Sequence, residues 1–255
     1  AAVPPGATPP TLPLLAARAA AEMGAQGELA VWSSYLFRGV PYTDGWVAQP
    51  ALSLSLNRDW TVTTWMNVDL SDANGAAGHP TETDVTVQWL PDEATALRPF
   101  LGLATYVVSV PSEAAGTTAE LLAGLRAQPP ERGAARWLPA LEVSLWYEVL
   151  DYDDLYVGMA VERGISLDSV AEVTLRAAVG WAGREYHQFF FATDHAGWSD
   201  LSVTAELGRS LGTRAHVSLM AQYQTLLDAQ LRSASQSRHG EAAWWLWGSK
   251  GSWTF

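Results

Sequence analysis

Two groups of residues in this 255-residue chain are of types and spacings that could do chemistry. The first is His216-Val217-Ser218, a base and a hydroxyl two residues apart, which a strand would point to one face. A serine deprotonated by histidine attacks acyl groups, but such a pair needs a third group to orient the imidazole. The second group is larger: Arg38, Trp65, Asp69, Asp84, Arg98, Tyr106, Glu142, Trp146, Glu148, Arg176, Glu206 and Arg214. Most of these alternate with apolar neighbours, so in extended chain they would gather on one side of a sheet. If that side encloses water, they line a path for solutes, and an acidic excess favours cations. If it does not, they pair with one another and close the space. The five His are scattered, Cys is absent, and neither a metal set nor a cofactor motif can be composed from them.

What must position these side chains is a series of runs with a period of two. Apolar residues alternate with polar ones over 28–38, 46–56, 60–70, 82–89, 97–107, 137–149, 155–162, 173–181, 201–207, 215–223 and 243–255. Runs of about ten residues fit tilted strands crossing a bilayer, with lipid on one face and an interior on the other. Residues 184–193 break the pattern at Phe189, Phe190 and Phe191. They are read as a strand because this brings the count to about twelve, and single-chain bacterial barrels have even counts. Residues 110–136 read as a long extracellular loop, helical over 118–126 and ended by Pro129-Pro130. Pro50 is expected at a bulge or a strand end.

The final run carries Ala243, Trp245, Trp247, Trp253 and Phe255 on one side, and Ala242, Lys250, Ser252 and Thr254 with the less polar Trp244, Leu246 and Gly248 on the other. A terminal Phe on such a strand resembles the insertion signal of outer-membrane barrels, which makes membrane lipid and the barrel-assembly machinery the expected partners. Net charge is −12, which argues against nucleic acid. There is no apolar run of the ~18 residues that a spanning helix needs. Mean hydropathy of +0.01 beside 13 Trp suits a sheet in which only alternate residues meet lipid. The chain opens on Ala1 rather than Met, as an exported protein would after signal cleavage. Residues 1–26 form a separate Pro-rich segment, with an Ala-rich helix expected over 14–23, serving as a tail, a plug or the contact for a partner protein. The expected fold is thus all-β: a transmembrane antiparallel up-and-down barrel over 27–255 behind a periplasmic leader.

The segments 31–45 and 65–69 carry a more specific signal. Tyr35, Phe37, Arg38, Gly39, Thr43, Asp44, Gly45, Gln49, Trp65, Asn67, Val68 and Asp69 resemble the opening of the TorF-type porins, a bacterial outer-membrane family. The resemblance spans about forty residues at the start of the barrel and implies a porin-like activity.

Connection lengths point the same way. The links 39–45, 71–81, 109–136, 164–169, 194–197 and 226–240 are mostly long, and 57–59, 91–96, 151–153, 182–184 and 209–212 are short, as outer loops and inner turns would be. Trp46, Trp137, Trp198 and Tyr223 are expected at the loop ends; Trp60, Trp89, Tyr147, Trp181, Trp253 and Phe255 at the turn ends. The expected function is a porin of a Gram-negative outer membrane, both termini periplasmic, with a narrow, mildly acidic lumen. The alternatives are a closed anchoring barrel that binds a partner protein and, less favoured, a lipid hydrolase of the outer-membrane phospholipase kind using His216 and Ser218. That hydrolase would need an Asn which the adjoining runs do not supply.

Overall fold

The computed structural model describes residues 24–91, 96–109, 116–129 and 137–255. The expected helix over 14–23 lies outside the described residues. The sheet begins with β1 (Gly24–Trp32), and a small hairpin of β2 (Tyr35–Phe37) and β3 (Val40–Thr43) follows. Then come β4 (Val47–Ser55), β5 (Trp60–Asp69), β6 (Pro80–Trp89), β7 (Leu97–Val108), β8 (Gly116–Ala127), β9 (Ala140–Glu148), β10 (Leu155–Ser166) and β11 (Ala171–Ala182). The chain ends with α1 (Arg184–Phe191), β12 (Gly197–Leu211), β13 (Ala215–Leu226), α2 (Ala229–His239) and β14 (Ala243–Thr254). Twelve strands, all but the small hairpin, form one closed antiparallel barrel in sequence order, sealed where β1 pairs with β14.

Each spanning strand divides its side chains by parity. Leu101, Leu103, Leu121, Leu125, Leu141, Val143, Leu145, Val203, Leu207, Leu219, Trp245 and Trp247 all point outward and are exposed. In water this belt would far exceed the apolar patches that soluble proteins tolerate; lipid is the solvent that matches it.

Two expectations fail, and their errors cancel in the count. Residues 118–126 are not helical but belong to β8, which pairs with β7 and β9 along its length. Its Ala, Leu, Glu and Arg favour helices, yet Thr118, Glu120, Leu122, Gly124 and Arg126 alternate inward while Leu121 and Leu125 face out. Pairing on both edges outweighs the propensity. Residues 184–193 are not a strand: they contain α1, whose turns put Tyr186, His187, Phe190 and Phe191 on one buried face. Three consecutive aromatics suit that face and fit no alternation.

The exchange reverses β9, β10 and β11 relative to the sequence reading. One end of the barrel carries the links 33–46, 70–79, 109–115, 149–154, 183–196 and 227–242, and is called here the capped end. The other carries 56–59, 90–96, 128–139, 167–170 and 212–214 together with the first residue of β1 and the last of β14, and is called the open end. The single extracellular loop expected over 110–136 is broken by β8, whose first and last residues lie at opposite ends of the barrel. Tyr147 and Trp181 move to the capped-end aromatic ring with Trp46, Trp198 and Tyr223, while Trp137 joins Trp60, Trp89, Trp253 and Phe255 at the open end. The first run also stops early. After Trp32 the chain turns inward, so Tyr35 and Phe37 are buried inside rather than facing lipid. Pro50 sits mid-strand in β4, opposite Leu29, and the β4–β5 register lapses beside it, as a missing N–H requires.

Leu121→Arg should discriminate strand from loop at 116–127. On a lipid-facing strand it costs roughly 2–4 kcal/mol near the bilayer midplane, measurable as a lowered unfolding midpoint of the protein folded into lipid vesicles; in a loop it would cost nothing.

Candidate functional site: a plugged lumen

The sequence around residue 38 builds a plug. Ser33 ends the β1–β14 ladder by giving its N–H to the Trp247 carbonyl and accepting the Trp247 N–H on its hydroxyl. Ser34 closes the base of the hairpin onto the Thr43 carbonyl at 2.7 Å. The turn between β2 and β3 places Arg38 and Gly39 at φ 46° and 83°, a left-handed pair that suits the twist of a tight hairpin. Gly39 is needed twice over, because a Cβ there would stand 2.6 Å from Leu226 Cδ2.

Arg38 is the centre of this plug. Its guanidinium donates from both Nη atoms to Glu120 of β8, at 2.8 and 3.0 Å, with both side chains almost fully buried. Tyr106 donates to the same carboxylate at 2.7 Å. The guanidinium carbon lies 4.1 Å from the Tyr156 ring centre and 5.3 Å from that of Trp146. Tyr156 reaches across Gly180, which leaves room for its hydroxyl to donate to Asp200 at 2.9 Å.

The residues that carry the sequence resemblance meet here. Tyr35 donates to Glu82 at 3.0 Å, Thr43 to Asp69 at 2.9 Å, and Gln49 to Asn67 at 3.1 Å. Asn67 and Asn74 complete the shell of Asp69. Their spacing in the chain thus encodes a hairpin and the wall it bonds to.

Above the plug, α1 and α2 close the capped end. Phe37 packs on Phe190 at 5.8 Å between ring centres, and Tyr186, Phe191, Leu226 and Leu231 complete one apolar cluster. The Asp154 carboxylate accepts the Tyr186 N–H, and Asp228 caps α2 by accepting from Gln230 and Leu231. Arg238 of α2 donates to the Phe190 carbonyl, tying the helices together.

Beneath the plug the interior is divided. Along β7 and β8 it is filled by Phe100, Ala104, Tyr106 and Leu122. Along β9–β14 and β1 it is a cavity of about 290 Å³. A second cavity of about 350 Å³ occupies the open-end mouth and shares Glu28 and Lys250 with the first. The inner walls carry ion pairs: Arg126 with Glu142 at 2.6 Å, Arg176 with Glu162 at 3.4 Å and Glu142 at 3.7 Å, and Lys250 with Glu206 at 3.1 Å.

Of the residues marked in the sequence, Arg38, Trp65, Glu142, Trp146, Arg176 and Glu206 border the inner cavity, and Arg214 the mouth. Asp69, Asp84 and Tyr106 face inward but are buried in the wall. Arg98 bonds to the Pro91 carbonyl. Glu148 collects the Thr118 hydroxyl and the backbone N–H groups of the 149–154 turn, which makes it a turn clamp. His216 and Ser218 both face the lumen, and no hydrogen bond joins them among the described residues. Glu120 and Arg126 were hidden by the helical reading of 118–126; their even positions within it were the available signal.

The fold defines the class. It is similar to that of the KdgM porin (TM-score 0.55, 5% identity, 90% of this chain and 99% of that one), which has also been solved in complex with disordered oligogalacturonate. It is likewise similar to the NanC porin (0.56, 10% identity, 91% and 99%) and to LpxR from Salmonella typhimurium (0.51, 12%, 89% and 99%). No protein-family model and no curated protein matches the chain. The chain has the closed twelve-stranded fold of outer-membrane porins.

Two outcomes follow from the plug. Arg38→Met or Glu120→Gln alone leaves one buried charge unmatched and should destabilise the folded barrel by about 3–5 kcal/mol, and the double substitution Arg38→Met/Glu120→Met by less than either; chemical unfolding in lipid measures the cycle. The second concerns His187, whose Nδ1 bonds to the His195 carbonyl at 2.8 Å while its buried Nε2 has no hydrogen-bond partner. Burial lowers its pKa, against the weaker pull of the neighbouring Asp228 and Asp154. The closed cap therefore loses stability as pH falls below the ordinary histidine value of about 6.5, by up to about 1.4 kcal/mol per pH unit, and levels off below the depressed value. The protection of amides in α1, taken as exchange relative to the unstructured rate at each pH, should fall from pH 7.5 to pH 5.5, and His187→Gln should reduce that fall.

Proposed function

We propose that this protein is a channel of a Gram-negative outer membrane that passes small solutes or ions along a narrow, mildly acidic lumen and is narrowed at one end by its own hairpin. The observation that carries this is the cavity beneath Arg38, which runs into the open-end mouth through Glu28 and Lys250. Both ends of the barrel sheet meet at that mouth, and even-stranded barrels keep both termini in the periplasm. The open end is then periplasmic and the capped end extracellular. Phe255 at the β14 terminus is the element offered to the assembly machinery. The segment 1–26, whose last three residues open β1, serves as a plug or as the contact for a partner. The convergence of Tyr35, Arg38, Thr43, Gln49, Asn67 and Asp69 on the plug supports membership of the TorF-type porins, with the hairpin as that motif's product.

A second reading has an observation in its favour. The plug, the cap and the filled half-lumen suit a closed barrel that anchors a partner protein.

Single-channel recording of the folded protein in planar bilayers separates the two. A channel shows small cation-preferring steps, and deleting residues 35–42 enlarges them. An anchor stays silent in the native form, stays silent after that deletion despite running as a heat-modifiable folded barrel, and brings a stoichiometric partner through purification.

A further inference from the structure

The charges around the inner cavity indicate what it would hold. Its ionisable lining consists of Glu28, Glu142, Glu162, Asp200 and Glu206 against Arg38, Arg176 and Lys250. Every base is engaged: Arg38 with Glu120, Arg176 with Glu142 and Glu162, Lys250 with Glu206. Glu28, by contrast, forms no ion pair among the described residues. It is half-buried and, with Lys250, stands where the two cavities join, so a solute passing from the mouth into the inner cavity passes it. Four residues further along the same inward face of β1 is Trp32, about 13 Å away at strand rise. Trp32 lies against the bare backbone of Gly248, where a Cβ would collide with its ring. Trp146 borders the same space. A carboxylate at the entrance that makes no direct ion pair, with Lys250 acting on it from β14, and indoles further in form a site for a positive charge carried on a thin apolar body.

We propose that the inner cavity binds an organic cation, an alkylammonium-like solute with its charge at Glu28 and its chain directed along β1 toward Trp32. This rests on the reading of the cavity as a solute-accessible lumen and assigns the class of solute. Anions are disfavoured in the inner cavity because none of the bases that line it is free to receive them. A polyanion such as the oligogalacturonate seen with the KdgM porin does not suit this wall. Lys250, held between Glu206 and the entrance, competes with the ligand for the local negative charge.

The test is isothermal titration calorimetry on the full-length folded protein in detergent, with hexyltrimethylammonium, hexanol, hexanesulfonate and tetramethylammonium as probes. Hexyltrimethylammonium should bind, and each of the others at least about tenfold more weakly, since they lack the charge, reverse it or lack the body. Glu28→Gln should weaken hexyltrimethylammonium about tenfold, the scale of one charge-assisted contact, while Lys250→Met should tighten it. Heat-modifiability on a gel verifies that both variants are folded, and the opposite signs guard against a general loss of structure. Equal binding of hexanesulfonate, or unchanged binding to a folded Glu28→Gln protein, overturns the proposal. Bilayer recording on the same preparation keeps the two readings apart: conductance without cation binding removes this inference and leaves the channel, and binding without conductance does the reverse.

Discussion

Everything in this molecule follows from one requirement: within a bilayer, each backbone N–H and C=O must find its partner inside the protein. A sheet meets that requirement only when it has no edge, and here the last edge disappears where Gln26 to Trp32 pair with Thr254 to Gly248. Closure then dictates the division of side chains, because a strand with lipid on one side can place polar groups only on the other. It also fixes the interior width. Twelve strands enclose more space than ordinary side chains fill, so the interior must be occupied by something else or hold water. This protein has a hairpin and bulky side chains over one part and a cavity over the rest.

The ionisable groups show how that interior is kept stable. Charges taken from water into a confined, weakly polar space are costly unless matched closely. The Arg38–Glu120 pair is matched in two parallel bonds and supported by two tyrosine hydroxyls, Tyr106 and Tyr152. Arg126, Glu142, Arg176 and Glu162 form a chain of alternating sign across four neighbouring strands. Asp69 and Glu148 take the other course and are solvated by hydroxyls, amides and backbone N–H groups. A formal count of acids and bases along the strands overstates the charge a passing solute would feel.

The barrel was legible in the sequence because lipid imposes an alternation that recurs from run to run, as in Val62 to Leu70 and Leu141 to Val149, even where the last strand blurs it at Trp244 and Leu246. It became illegible where another constraint shared the same residues. In β8, helix-favouring Leu121, Ala123 and Leu125 satisfy lipid as well as any β-branched residue would, and only long-range pairing reveals the strand. In α1, Phe189 to Phe191 serve a cap that does not cross the membrane. Arg38 stood out through its motif, but the sequence offered no means of choosing among the lumen carboxylates, and its partner Glu120 lay inside the misread segment. Partners 82 residues apart, one in a turn and one on a strand, leave no local trace.

The blind shape of the cavity has an electrical consequence. A water-filled recess brings the potential of one compartment deep into the barrel, so that any voltage across the membrane falls over the short remaining barrier instead of the full thickness. That barrier is the hairpin with its helical cap. Arg38 and Glu120, paired at its centre, therefore occupy the steepest part of the field, which pulls the two opposite charges apart along their bonds.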